Sequence, residues 1–186
     1  MKKHPIALIT LLLAAVLPAA EQKASAMMPG LKVGDQAAAF SLKNSAGAEV
    51  ALADLLKTGP VALVFYRSAD WCPFCKKQLQ ALQADLKNVE MSGVRVVGIS
   101  YDAPATSAAA AAKLGLTFPL LSDTGSKIID AYGIRNAEAK GKAEGVPHPV
   151  VFIVDRAGVI RAKLMRHGYR ERPESAEIIA AAKGLN

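Results

Sequence analysis

The sequence contains little cysteine, little histidine and no apolar run long enough to cross a membrane. Two cysteines in 186 residues exclude a fold built on a disulfide framework, because such scaffolds are short and rich in cysteine. Three histidines, one of them His4, leave few ligands for a metal centre. The apolar run Ile6–Leu17 has 12 residues, whereas a membrane-spanning helix needs roughly 20, and no later run is long enough.

The N-terminal residues have the pattern of an export signal. Two lysines precede the early apolar run, and the small residues Ala24–Ala26 follow it. We expect cleavage after Ala26, so that 1–26 is a signal peptide and 27–186 form one domain. No cysteine near the cut could carry a lipid, so no stable membrane anchor is expected after cleavage. The predicted location is periplasmic or secreted, where disulfides persist.

The charge of the chain indicates no nucleic-acid partner. Cleavage would remove three lysines and one glutamate, so the formal charge falls from +7 to +5. A charge of this size is typical of a soluble, dispersed surface. No function is assigned to the basic residues near the C-terminus, which are Arg161, Lys163, Arg166, Arg170 and Arg172.

Strand and helix patterns alternate along the chain. In order they predict a β-hairpin (40–42 and 49–52), a buried strand (60–66), one amphipathic helix from residue 75, a second buried strand (94–100), an alanine-rich helix ending at Gly115, a short strand, a short helix, a late hairpin (149–165) and a last helix (174–183). This order predicts an α/β domain with a central mixed sheet, helices on both faces and an N-terminal hairpin extension.

Both cysteines lie in "WCPFC", between the first buried strand and the amphipathic helix. The positive end of that helix stabilises a thiolate, and Lys76 adds positive charge nearby. Cys72 is therefore the predicted nucleophile and Cys75 the resolving cysteine, one turn further on. A disulfide between them would close a loop too small to stabilise the fold. We expect the Cys72 thiolate to be accessible, because it must meet a partner.

A C-x-x-C pair can also be half of a zinc site, which needs two further ligands. Only His148 and His167 would remain after cleavage, in no metal-binding spacing. No metal site and no organic cofactor are therefore predicted.

Trp71 and Pro149 each have two interpretations. Trp71 is either a core aromatic or part of a docking surface beside the thiol. Pro149 is either a trans proline at the start of a strand or follows a cis peptide bond, which is usually kept for tight functional geometry. Pro147 is an alternative position for the cis bond.

Several segments resemble the thioredoxin superfamily, in the redoxin group that joins AhpC/TSA peroxiredoxins and TlpA-type thiol reductases. They are "VGDQAAAFSL", "VALVFY", "WCPFC", "VVGISYD", "FPLLSD", "AYGI" and "GVPHPVVFIVDRAGVI", and they extend from about Val33 to Met165. The resemblance implies a thioredoxin-like fold and thiol chemistry. It also implies that Pro149 is cis and faces the cysteines, and that His148 touches the active-site sulfur.

The chain departs from the peroxiredoxin pattern at three positions. Peroxiredoxins carry P-x-x-x-T-x-x-C and an arginine before the late "F-I-x-D" strand, and here those slots hold Phe65, Ala69 and Pro149. Arg67 is the remaining candidate to polarise a peroxide. The W-C-x-x-C motif with a late proline resembles thioredoxin-like reductases instead.

These observations predict an exported thiol–disulfide oxidoreductase that acts on protein dithiols or disulfides and on an envelope redox partner. Cys72 attacks and Cys75 resolves, while Trp71, His148 and Pro149 position the substrate. The alternatives are a thiol peroxidase that reduces hydroperoxides through Cys72, and a metal-binding module on the same fold.

Overall fold

A computed structural model describes residues 28–185, and the predicted signal peptide lies outside them. Within this range seven strands form one sheet, with helices on both of its faces. Among the described residues, no helix combines the length and apolar character that crossing a bilayer requires.

The strands are β1 (Ser41–Asn44), β2 (Glu49–Ala51), β3 (Val61–Phe65), β4 (Arg95–Ser100), β5 (Leu120–Ser122), β6 (Val150–Val154) and β7 (Ile160–Met165). The helices are α1 (Leu52–Thr58), α2 (Pro73–Ala84), α3 (Leu86–Met91), α4 (Pro104–Leu114), α5 (Lys127–Ala131) and α6 (Ser175–Ala182), with a short 3-10 turn at Gly141–Ala143.

The sheet is mixed, as predicted. Its strand order is β2-β1-β5-β4-β3-β6-β7, with β3 parallel to β4 and antiparallel to β6. The N-terminal hairpin of β1 and β2 joins the sheet where β1 pairs antiparallel with β5. The strand that leads to the cysteines, β3, therefore lies inside the sheet, with a neighbour on each side.

Alternate residues of β3 enter two different hydrophobic layers. Leu63 and Phe65 pack on one face of the sheet, while Val64 packs on the face that also holds both cysteines. The ring of Phe65 lies 4.9 Å from that of Tyr132 and 6.0 Å from that of Phe152. This aromatic cluster supports the end of β3 from which the cysteine loop departs.

The single helix predicted after residue 75 is wrong, because the structure divides it into α2 and α3 at Asp85. Asp85 is the C-cap of α2, and its N–H donates to the carbonyls of Ala81 and Gln83. The backbone of Asp85 leaves the helical range, with φ −98° and ψ 4°. Leu82 and Val89 still lie buried in the same hydrophobic layer, one from each helix.

Candidate active site

The cysteine loop joins β3 to α2, as the sequence predicts. Cys72 is the N-cap residue of α2, and Pro73 is the first residue of the helix. A proline fits there because its missing N–H would have had no partner within the helix. The Cys75 N–H donates to Cys72 Sγ over 3.4 Å, so one of the free amides of the helix end points at this sulfur.

The two sulfurs lie close enough to share a proton. Cys72 Sγ and Cys75 Sγ are 2.6 Å apart and joined by a hydrogen bond, and both cysteines are free. No covalent bond joins the sulfurs, although they lie close enough for a disulfide to form.

The expectation that Cys72 is accessible is wrong, because its exposed fraction is 0%. Trp71 and Phe74 pack against the hydrophobic layer that holds the cysteines. The ring of Tyr169 lies 5.9 Å from that of Phe74, and the Arg67 guanidinium lies between Trp71 and Tyr169, 4.8 and 4.5 Å from their rings. We call Arg67, Trp71, Phe74 and Tyr169 the aromatic cover.

The hydrogen bond between the two sulfurs shifts their pKa values in opposite directions. The hydrogen bond with Cys72 lowers the pKa of Cys75 to about 6, and the Arg172 guanidinium favours the Cys75 anion as well. The same hydrogen bond, followed by burial, raises the pKa of Cys72. The two thiols titrate as one unit, in which the Cys75 N–H favours an anion on Cys72 and the Arg172 guanidinium favours one on Cys75. That the attacking anion forms on Cys72 stays a prediction. Cys72 becomes the anion when the shared proton moves to Cys75.

Hydrogen bonds from inside the domain fix the start of the cysteine loop. The Ala69 N–H donates to the carboxylate of Asp102, over 2.8 Å, and the Asp70 N–H donates to Ser68 Oγ, over 3.1 Å. Asp102 follows β4 and is 7% exposed, and burial raises the pKa of this carboxyl. Lys76 Nζ donates to the carbonyl of Asp70 over 2.8 Å, so it braces the loop from the helix side. The predicted electrostatic contribution of Lys76 stays a prediction.

Trp71 packs partly inside the domain and is hydrogen-bonded there. Its indole N–H donates to the hydroxyl of Tyr101 over 2.9 Å, and that hydroxyl donates to the carbonyl of Lys142. The Lys142 ammonium lies 5.5 Å from the Trp71 ring. The ring is half-buried against the hydrophobic layer, so part of it faces the surface beside the cysteines. Its role in docking a partner stays a prediction.

The predicted cis proline is wrong, because the peptide bonds of the described residues are all trans. Pro147 forms a bridge with Arg135, and the His148 N–H donates to the carbonyl of Ile134 over 2.7 Å. These contacts lead the chain into β6 in an extended form, which a trans bond continues. Pro149 is therefore a proline at the start of a strand, the other interpretation of the sequence.

Pro149 nevertheless lies beside the end of β3 at which the cysteine loop begins. Phe65, the last residue of β3, pairs with Val150, the residue after Pro149. His148 has no hydrogen bond to either sulfur in the described part of the chain, and burial lowers its pKa. It is therefore neutral at neutral pH and supplies no charge to a thiolate there. That His148 and Pro149 position a substrate stays a prediction.

Arg67 is held by aromatic rings instead of by hydrogen bonds. Within residues 28–185, its Nε atom is buried and has no hydrogen-bond partner. The guanidinium forms part of the aromatic cover, and its predicted action on a peroxide stays a prediction.

The sequence patterns missed one residue that touches the reactive pair. Arg172 Nη2 lies 3.5 Å from Cys75 Sγ, although the two residues are 97 positions apart. Arg172 belongs to a basic run to which no function was assigned. Local spacing holds no signal for a contact of this range, because only the fold brings the C-terminal segment to α2.

Metal ligands do not cluster in the part of the chain that the structure describes. No group of three or more His, Cys, Asp or Glu side chains there could hold a metal ion. The metal-binding alternative has no ligand set among these residues.

Three comparisons with known proteins agree. The model of the AhpC/TSA family matches residues 33–163. The chain is 33% identical over 134 residues to peroxiredoxin Bcp of Escherichia coli K12, which covers 72% of this chain and 85% of that protein. It is 32% identical over 145 residues to chloroplastic peroxiredoxin Q of Populus jackii, covering 78% of this chain and 65% of that protein. The solved structure of peroxidoxin BcpB from Mycobacterium tuberculosis superposes with a TM-score of 0.74 at 24% identity, covering 84% of this chain and 99% of the other, so the two share a fold.

Proposed function

The chain belongs to the AhpC/TSA family of thioredoxin-like oxidoreductases, and from this premise we propose that it is a thiol–disulfide oxidoreductase with a C-x-x-C pair. The observation that carries the proposal is the 2.6 Å separation of the Cys72 and Cys75 sulfurs at the start of α2. Sulfurs at this distance can close into a disulfide and reopen without rearranging the fold. The pair can therefore exchange two electrons with a partner.

The exchange begins when the shared proton moves from Cys72 to Cys75. The Cys72 thiolate attacks one sulfur of a partner disulfide, so a mixed disulfide forms, the partner S–S bond breaks, and the other partner sulfur leaves as a thiolate. The proton on Cys75 passes to that leaving thiolate. The Cys75 thiolate then attacks Cys72 Sγ, and the second partner sulfur leaves. The partner gains two electrons, and the chain keeps an internal disulfide.

The residues around the pair have separate tasks in this reaction. The amide of Cys75 donates to Cys72 Sγ and favours the attacking anion, and Asp102 keeps the loop in place through the Ala69 amide. Trp71 is half-buried and provides surface next to the pair against which an extended partner chain can lie. The reverse reaction reduces the internal disulfide at the cost of a partner dithiol.

The proposed partners are protein dithiols and disulfides, together with a redox partner in the cell envelope. A cavity of about 870 Å³ lies beside α2 and is lined by residues that include Phe74, Gln78 and Arg172. It adjoins the aromatic cover and combines apolar and charged walls, which suits a polypeptide segment. A partner chain in this cavity would displace Phe74 and Tyr169 and reach the sulfurs.

Hydroperoxide reduction is the second candidate function, and the peroxiredoxin relatives favour it. In that reaction the Cys72 thiolate bonds to one peroxide oxygen, the O–O bond breaks, and the alcohol leaves with the proton from Cys75. The Cys75 thiolate then attacks the sulfenic sulfur of Cys72, the disulfide forms, and hydroxide leaves and takes up a proton from solvent to become water. Phe65, Ala69 and Pro149 stand in place of the usual proline, threonine and arginine, and this argues for slower peroxide chemistry.

Parallel rate measurements on the reduced protein separate the two functions. We expect the second-order rate constant for oxidation of the pair to be larger with oxidised glutathione and with a small protein disulfide than with hydrogen peroxide. Stopped-flow tryptophan fluorescence can follow both reactions, because Trp71 is the only tryptophan and adjoins Cys72. A peroxide rate far above the exchange rate would make the chain a peroxidase instead. A Cys72→Ser protein supplies the baseline for both reactions.

We also propose that the protein is exported and acts in the periplasm or outside the cell. The support is the basic start, the apolar run Ile6–Leu17 and the small residues Ala24–Ala26. The full chain expressed in a Gram-negative host is expected in the periplasmic fraction, starting at Met27 by N-terminal sequencing. Replacing Leu11 and Leu12 with arginine should retain it in the cytoplasm at full length. Cytoplasmic retention of the unaltered chain would contradict the proposal.

A further inference from the structure

Arg172 reaches the reactive pair from outside the part of the chain that matches the family model. The match ends at residue 163, and Arg172 follows in the segment 166–173 between β7 and α6. Its Nη2 lies 3.5 Å from Cys75 Sγ, a sulfur with an exposed fraction of 0%. Arg172 is therefore a contact to the pair that the matched part of the chain does not contain.

The guanidinium is held by the backbone on its other side. Arg172 Nη1 donates to the carbonyl of Tyr169 and, over 3.0 Å, to that of Glu171. These contacts curl the segment around its own arginine. The Nη2 atom remains free to face Cys75.

Both ends of the segment are anchored. Arg166, which follows β7, forms an ion pair with Glu177 of α6. Glu177 also closes a capping box with Glu174 at the start of α6. Arg172 lies two residues before that cap, so its backbone position is set by the end of β7 and the first turn of α6.

A thiolate buried beside an arginine differs from a buried thiolate alone. Burial disfavours the charged form of a thiol, and a neighbouring cation reverses that effect. The ionisable groups that face Cys75 are Cys72 on its own loop, Tyr66 at the end of β3 and Arg172 from the C-terminal segment. Burial raises the pKa of Tyr66, which stays neutral. Arg172 is the only cation in this set, as far as the described residues show.

We propose that Arg172 is a catalytic residue that holds Cys75 as a thiolate and so drives the resolving step. Its guanidinium lies against the sulfur that must attack Cys72 Sγ to release the partner. No electron passes through Arg172, since the S–S bond forms between Cys75 and Cys72 as the mixed disulfide breaks. The role in turnover rests on the proposed exchange function, whereas the effect on the Cys75 thiolate does not.

Arg172→Met removes the charge and keeps most of the side-chain volume. In the reduced protein, the pH midpoint of thiolate formation, followed by ultraviolet absorbance, is expected to rise by about one to three pH units. Arg172→Lys should recover part of the shift, because it restores a cation. Arg170→Met is the matched control, because Arg170 is exposed in the same segment and lies 5.9 Å from the Tyr169 ring without touching a sulfur. It should leave the midpoint unchanged.

A second readout tests the step. Starting from a preformed mixed disulfide on Cys72, Arg172→Met should release the partner at least about tenfold more slowly than the unaltered protein, as expected for a less ionised attacking thiol. An unchanged midpoint in Arg172→Met and Arg172→Lys, with both proteins folded by circular dichroism, would overturn the inference and leave the exchange function standing. A shifted midpoint in a protein without exchange activity would support the thiolate contact and contradict the exchange function instead.

Discussion

Replacing Cys72 with serine is expected to lower the rate of exchange by at least about a thousandfold, because the loss of an attacking nucleophile has effects of this order or larger. A hydroxyl at this position stays protonated at neutral pH and cannot displace a partner sulfur. A serine hydroxyl can accept from the Cys75 N–H as Cys72 Sγ does, and the loop contact of Asp102 does not involve the sulfur, so the protein should stay folded. The measurement is the oxidation of a protein dithiol, or the reduction of a protein disulfide, over time.

The Cys75→Ser protein is the matched control for that result. It keeps the Cys72 thiol and loses the resolving thiol, so it should attack once and stop as a mixed disulfide. Mass spectrometry of the intact protein would detect the trapped partner on Cys72. If Cys72→Ser traps a partner on Cys75 while Cys75→Ser traps none, the two roles are the reverse of those proposed.

Replacing Phe152 with alanine should lower the free energy of unfolding by about 3–5 kcal/mol, the usual cost of deleting a fully buried phenylalanine ring. Phe152 lies in β6 with an exposed fraction of 0%, and its ring meets those of Phe65 and Tyr132. The deletion leaves a cavity beneath the strand that carries the cysteine loop. Urea denaturation followed by circular dichroism measures the change.

Two further variants make this stability prediction decisive. Phe152→Leu fills part of the cavity and should lose much less stability, which matters if the alanine protein fails to fold. Met91→Ala removes a side chain that is 70% exposed at the end of α3 and should change stability by no more than about 0.5 kcal/mol. Similar losses in Phe152→Ala and Met91→Ala would show that the aromatic cluster does not stabilise the fold as described.

The strands and the site loop could be predicted because their signals are local. The apolar run 60–66 and the alternating late hairpin correspond to β3, β6 and β7, and Gly115 ends α4 in the left-handed conformation, with φ 65°. The break at Asp85 was not predictable in the same way, because the apolar spacing continues across it. The spacing of apolar residues predicts which face of a helix is buried, but it does not predict whether the helix is continuous.

The environment of the cysteines depended on contacts between distant segments. Nothing in "WCPFC" indicates that Tyr169 would lie against Phe74 or that Arg172 would reach Cys75. Both residues follow the last predicted strand, in a region that the strand and helix patterns left without a role. The expected exposure of Cys72 was wrong, because this residue is buried, while the expected anion on Cys72 stays a prediction. The C-terminal segment adds Arg172 at Cys75, a contact that no local pattern indicates.

The aromatic cover also bears on which molecules can react with the cysteine pair. Both cysteines are buried, and Trp71 and Phe74 of the cover pack against the layer that holds them, so we expect an oxidant in solution to react only when the cover moves. The rate of reaction with molecules that do not bind the protein would then be limited by how often the cover opens. A partner that binds to the cover would open it as it docks. The protein would then select its redox partners first by whether they can open the cover, and only second by their reduction potentials.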